Sequence, residues 1–309
     1  MEHELWFELS KAVCEVSAEW REPARFNHPT AVIARVHLWA ALHDRPISWA
    51  CDPRNWDAQK RPRPLPDQST VSRRMRRAGS RGFEAFFDAL AKRLAGRANS
   101  LELVKRIDGK SLPVAAHSKD RNAAWGRGTG GLARGYKLHA MWCGNAVFPL
   151  DWAITPLDVD ETRIAARFFK RLDGAGYVLG DKRYDASGLY PRAAGVAHQL
   201  VAPRAKRGAK NNDGRRSRGG FGHRAACRSA GRVRCVEMLE PPANLNAFGR
   251  SLHQSRGQIE RDFGNMVSFG GGLSGLPAWV RRPWRVRMWV YAKLMINATR
   301  ITRLRRARA

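Results

Sequence analysis

LELVKRIDGKSLPVAAH, residues 101–117, is where the chain changes texture: the apolar run from Leu101 to Ile107 breaks at Asp108-Gly109, as a strand ending in a turn does. Working outward, GYKLHAMWCGN (135–145) and AVFPLDWAITP (146–156) read as two more strands joined at Gly144-Asn145, a hairpin-type pair. DVDETRIAARFFKRLDGAG (158–176) predicts a helix, with Asp160 near its start and Ile164, Phe168 and Leu172 four apart. GYVLGDKRYDA (176–186) is a short apolar run stopping at Gly180-Asp181, hence a buried strand, and AHQLVAPRA (197–205) reads as a fifth. Three antiparallel strands followed by helix, strand, helix and strand predict an α/β fold, a mixed sheet flanked by helices.

Before residue 99 the pattern is helical. Thr30–Ala50 carries apolar residues at helical spacing, and prolines 53, 62, 64 and 66 then keep the chain extended. A second helix starts at Asp67 or Ser69. Val71 and Met75 share one face, and Ser69, Thr70, Ser72, Arg73, Arg74 and Arg77 occupy the rest, the chemistry of a helix that meets a DNA groove. Residues 95–100 mark a boundary, giving a helical segment 1–98 and an α/β segment 99–309.

Charge narrows the partner. The 309 residues hold 56 Lys and Arg against 27 Asp and Glu, a net charge of +29. A chain this basic repels itself when compact and calls for a polyanion, with double-stranded DNA the default. Residues 203–234 form a basic glycine-rich loop with eleven Lys or Arg, among them Lys206, Arg207 and Lys210, against one acid, Asp213. From Arg281 onward there are ten more basic residues and no acid, on a predicted amphipathic helix from Pro283 to Arg306. No stretch of 18 apolar residues exists, so no membrane partner is expected. The first twenty residues hold five glutamates and no secretory pattern, and five scattered cysteines suit a reducing compartment, so a cytoplasmic, nucleoid-associated protein is expected. His223, Cys227 and Cys235 lack zinc-site spacing. Gly126, Gly128, Gly130 and Gly131 read as a loop, with no phosphate-cradling motif, so no nucleotide cofactor is expected. Trp125 in that loop offers a surface for stacking on an unpaired base.

Cutting a phosphodiester at neutral pH calls for a strong nucleophile and for stabilisation of the leaving oxygen. Two divalent ions held by carboxylates supply both. In a chain this basic, acids seated where strands end are informative. Asp108 follows the first strand and Asp181 the fourth, and strands that end together bring such acids close. Glu260 is the candidate third, on a helix that packs through Ile259, Phe263 and Met266 and carries Arg256 and Arg261 for phosphate. Asp262, expected off the packing side, and Asp151, expected mid-strand, are set aside.

The segments IDGKSLPVA, GYKLHA, LGDKRYDA and SRGQIERDFG, in that order, and the ending WVYAKLMINATR together resemble the catalytic domain of DDE-type insertion-sequence transposases, over roughly residues 101–300. The helix at Ser69–Arg74 is similar to the helix-turn-helix that precedes that domain in some members. The resemblance implies a ribonuclease H-like fold, Asp108, Asp181 and Glu260 as ligands of Mg²⁺ or Mn²⁺, strand cleavage and strand transfer at insertion-sequence ends, and a homodimer on transposon-end and target DNA. Relatives carry a Y-x2-R-x3-E-x6-K signature. Arg256 and Glu260 keep its spacing, while His253 and Val267 stand at the tyrosine and the lysine. His253 still offers a phosphate contact, and Arg261 or Lys293 offers a substitute charge. The altered positions keep open a decayed transposase that only binds DNA. A ribonuclease H-like host nuclease is the other alternative.

Overall fold

The computed structural model describes residues 2–22, 26–77, 82–95, 102–115, 117–128, 130–202, 252, 255–267, 272–273 and 275–308. The basic loop 203–234, with the zinc trio, falls outside them. The chain divides into two compact units: residues 1–98, 111–136 and 264–309 form the first, and 99–110 with 137–263 the second. Among the described residues no helix is long and apolar enough to cross a membrane.

The first unit is mainly helical. It contains α1 (Glu2–Glu19), α2 (Thr30–Leu42), the single turn α3 (Ile47–Ala50), α4 (Gln68–Arg77), α5 (Gly82–Ala95) and, from the far end of the sequence, α9 (Pro283–Arg306). Trp6, Trp39 and Trp56 cluster between these helices, Trp39 stacking on Trp56 at 4.7 Å. α9 is not amphipathic along its middle, where every residue from Met288 to Thr299 is buried. Helices that surround it bury its polar groups in pairs: Lys293 donates to Asp44 Oδ1 at 2.5 Å and to the Ala41 carbonyl at 2.6 Å, and His37 Nε2 bonds the Met288 carbonyl at 3.0 Å. The C-terminal helix, expected within segment 99–309, therefore sits in the core built by the N-terminal helices.

The six strands are β1 (Val104–Pro113), β2 (Ala124–Gly128), β3 (Gly131–Cys143), β4 (Asp151–Pro156), β5 (Gly176–Leu179) and β6 (His198–Val201). Their order is β2-β3-β1-β5-β6, with β4 also on β3. β5 runs parallel to both β1 and β6, and β2 antiparallel to β3, so the sheet is mixed as expected. α6 (Glu161–Phe169) starts at its Asp160 cap, whose carboxylate accepts from Thr162 N at 2.8 Å. With α7 (Leu189–Ala194) it closes a core of Ile107, Met141, Ile164, Phe168, Val178, Leu179 and Leu200. α8 (Gly257–Val267) seats Ile259 in the interior and sets Phe263 edge-on to Trp142 at 5.0 Å.

Two strand expectations need correction. β1 does not stop at Asp108-Gly109; it runs on to Pro113. Its partner β5 is what ends, the last pair being Arg106 with Leu179. Gly109 is there for close packing, since a Cβ would lie 3.1 Å from Lys137 Cδ and 3.2 Å from Glu161 Oε1. The glycine loop is also partly strand: Gly126 and Gly128 lie in β2, paired with Ala133 and Gly131. Trp125 stands on that strand, 64% exposed.

Candidate active site

The second unit gathers the acids at the point where β5 gives out. Asp108 sits on β1 two residues past the last β1–β5 pair. Asp181 follows β5 and caps the single 3₁₀ turn Lys182–Tyr184, accepting from Arg183 N at 2.9 Å. Parallel strands in register thus bring the two aspartates to one edge. Burial pushes the Asp108 carboxyl up to about 6; the Gly109 N–H, bonded to it at 2.7 Å, opposes this, Asp181 and Glu161 add to it, and Arg256 opposes it. Burial lowers the Lys110 ammonium, and Asp108 beside it acts the other way.

Glu161, the first residue of α6, is an acid the sequence reading passed over. It is 4% exposed, and its Oε1 accepts from Lys137 Nζ at 2.8 Å and from Arg183 Nη1 at 2.9 Å. Next to the Asp160 cap it looks like an ordinary first-turn acid. The available signal was Lys137 among the buried residues of β3, since a cation buried there needs a partner. Tyr184 lies beneath, wholly buried; burial raises its phenol well above the usual value, with Glu161, then Asp108 and Asp181, adding to it. His139, also on β3, is held neutral by burial, down to about 4, with Nε2 2.9 Å from Thr155 Oγ1.

α8 presents its acids differently from the expectation. Glu260 is 68% exposed and pairs with Arg256 one turn back at 3.6 Å. Asp262, expected to point away, is the inward acid: it lies 3.7 Å from Arg106 and accepts from Gln258 Nε2 at 3.1 Å. Arg106 is itself buried on β1, and a cation buried there draws the Asp262 carboxylate inward. Arg256 links the two groups of acids, acting on Asp108 and pairing with Glu260. Asp151 is half-buried at the start of β4 and pairs with Arg171 at 3.1 Å. Among the described residues no three His, Cys, Asp or Glu side chains are grouped so as to hold a metal ion.

The DNA-facing candidates divide likewise. On α4, Arg73 is exposed and reaches Ser69 Oγ at 3.4 Å, while Thr70 gives its N–H and hydroxyl to Asp67, the cap. Ser72 is half-buried. Arg74 turns inward, bonding the His28 carbonyl and Thr30 Oγ1 and lying 3.4 Å over the Phe26 ring. Arg261 donates to Gln258 Oε1 at 2.9 Å. Lys293, with its charge taken by Asp44, offers no substitute for the signature lysine. His253, Lys206, Arg207 and Lys210 lie outside the described residues.

Residues 100–292, well over half of the chain, match the Transposase DDE domain family. No curated protein matches the chain. Among solved structures, a piggyBac transposase in a synaptic complex with hairpin DNA, determined by cryo-EM, is similar at a TM-score of 0.46 and 11% identity, over 96% of this chain and 71% of that one. Through its residues 100–292, this chain belongs to the DDE transposase domain family.

Proposed function

We propose that the protein is an insertion-sequence transposase that cuts DNA strands at transposon ends and joins the freed 3′ ends to target DNA. The observation that carries this is that Asp108 and Asp181 lie beyond the last pair of the neighbouring parallel strands β1 and β5, at the same end, within a chain of net charge +29 that belongs to this family. In this reading the sheet is a ribonuclease H-like scaffold, residues 1–98 recognise the ends, and a homodimer brings two ends together in the nucleoid. Exposed Ser69 and Arg73 on α4, Arg256 just before α8 and Arg261 on it, and His253, Lys206, Arg207 and Lys210 from the remaining basic segments contact phosphates. Arg74 is held inward by His28 and Thr30, so the exposed Arg73 is the arginine of α4 to test.

The aspartates suit a divalent cation. Asp108 is half-buried and faces two like charges, and a cation between Asp108 and Asp181 relieves that repulsion. Asp108 and Asp181, with Glu260 from α8, would hold Mg²⁺ or Mn²⁺, which supplies activation of the attacking oxygen and stabilisation of the leaving one. Arg256, placed between Asp108 and Glu260, draws the phosphate and steadies the glutamate.

The test is Mg²⁺-dependent nicking of end-containing DNA by the wild type and by Asp181→Ala. Nicking by the wild type alone is the expected result, and equal inactivity of both proteins would sink the enzymatic reading. A second reading, a transposase that binds DNA without cutting it, is favoured by the outward Glu260 and by Val267 at the lysine position. That protein would shift end-containing DNA in a gel while leaving it intact.

A further inference from the structure

Glu161 has no part in the chemistry above, yet residues of β3 and of the turn after β5 hold it, and β1 packs on it at Gly109. Lys137 of β3 and Arg183 of the turn after β5 share its Oε1, and its Oε2 is buried with no hydrogen bond. The hydroxyl of Tyr184 below is likewise buried without one. Gly109, the residue after Asp108, packs directly on the Glu161–Lys137 pair. Arg183 is the connection to Asp181: its backbone N–H holds the Asp181 carboxylate, while its guanidinium goes to Glu161. Burial weakens that guanidinium's charge, but Glu161, then Asp181 and Asp108, outweigh it. The guanidinium is therefore within electrostatic reach of both aspartates and ion-pairs with Glu161 instead.

Arg183 is 46% exposed and free to swing, and a guanidinium released from one carboxylate pairs with others in reach. We infer that Glu161 is a positioning residue: it holds the Arg183 guanidinium on itself and so keeps the Asp108 and Asp181 carboxylates open to a divalent cation. The inference rests on the metal reading above. With Glu161 uncharged, Arg183 turns to the aspartates and competes with the cation for them.

The test uses Mn²⁺ alone as probe, its binding followed by electron paramagnetic resonance on the full chain without DNA, beside thermal unfolding. Glu161→Gln is expected to weaken Mn²⁺ binding roughly tenfold, as a cation placed among the ligands would. Glu161→Gln with Arg183→Gln removes the competitor and is expected to recover wild-type affinity to within about threefold. Glu161→Gln with Lys137→Met removes the buried lysine left without a counter-charge; it is expected to recover thermal stability but not Mn²⁺ affinity. A purely structural ion pair predicts the reverse, affinity returning with stability in the Lys137 double variant, and that result would overturn the inference, as would a Glu161→Gln protein that binds Mn²⁺ like the wild type. If the wild type takes up no Mn²⁺, or Asp181→Ala binds as the wild type does, the metal reading fails and this inference with it. Those two traces tell that case apart before any Glu161 variant is compared.

Discussion

Asp108 carries a signature that can be measured without DNA or metal. Burial, with Asp181 and Glu161 adding, lifts its carboxyl to about 6, against about 3.9 in an open chain. A carboxyl raised on folding binds its proton more tightly in the native state. Its contribution to stability is complete below about pH 4 and is lost as pH rises through about 6. Asp108→Asn carries no charge at any pH, so it should gain on the wild type in unfolding free energy between pH 4 and 6 and keep a constant lead above pH 7. Urea titrations of the metal-free proteins across that window check this, and a lead independent of pH would mean that Asp108 ionises as it does unfolded. Asp108 and Asp181 stood out in the sequence because each follows an apolar run, although β1 in fact runs on past Asp108 to Pro113. Glu161 did not stand out, because its burial depends on Lys137 reaching it from 24 residues earlier, a long-range contact that no local pattern carries. The facing of α8 was misread for the same reason: Arg106, distant in sequence, sits beside Asp262 and leaves Glu260 outside.

At the level of elements, helices and apolar strands were readable and the small-residue strand was not. The α9 boundaries follow from Pro283 and the apolar spacing, and α6 starts at the cap the sequence offers. β2, Ala124-Trp125-Gly126-Arg127-Gly128, has no apolar alternation to betray it, and only pairing with β3 makes it a strand. Asp108-Gly109 looked like a turn because Asp-Gly usually is one; here the glycine admits Lys137 and Glu161. Gly135 shows the same use of a missing side chain more severely. A Cβ there would meet the Leu112 carbonyl oxygen at 2.3 Å and Pro113 Cα at 2.9 Å, both backbone atoms of β1 that cannot step aside. Gly135→Ala is therefore expected to destabilise the protein by about 2 kcal/mol or more, through a strand forced off its neighbour. Urea unfolding measures it. A loss under about 0.5 kcal/mol, the range of an ordinary surface change, would mean that β3 and β1 are not so closely apposed.

Over the whole molecule the excess of positive charge divides into residues with and without internal partners, and that division sets what salt should do. Several arginines of the basic terminal helix are already paired: Arg303 with Glu4 at 2.7 Å, Arg306 with Glu8 at 3.9 Å and Arg287 with Glu84 at 2.5 Å. Charge that the sequence alone assigned to DNA thus helps to hold α9 against α1 and α5. Arg73 on α4 is exposed and makes a long bond to Ser69 Oγ. If six to ten phosphates are neutralised on binding, affinity for duplex DNA should fall about 10³- to 10⁵-fold between roughly 50 and 200 mM salt. Each lost phosphate contact lowers the slope of log affinity on log salt by about 0.9. Arg73→Ala should flatten the slope by about one such step, while Arg303→Ala should leave the slope alone and lower the melting temperature instead, because its guanidinium is spent on Glu4. Titrations of labelled duplex at several salt concentrations, run with both variants, decide the matter. An Arg303→Ala protein with the flattened slope would place the terminal helix on the DNA after all, and an Arg73→Ala protein with the wild-type slope would remove α4 from the interface.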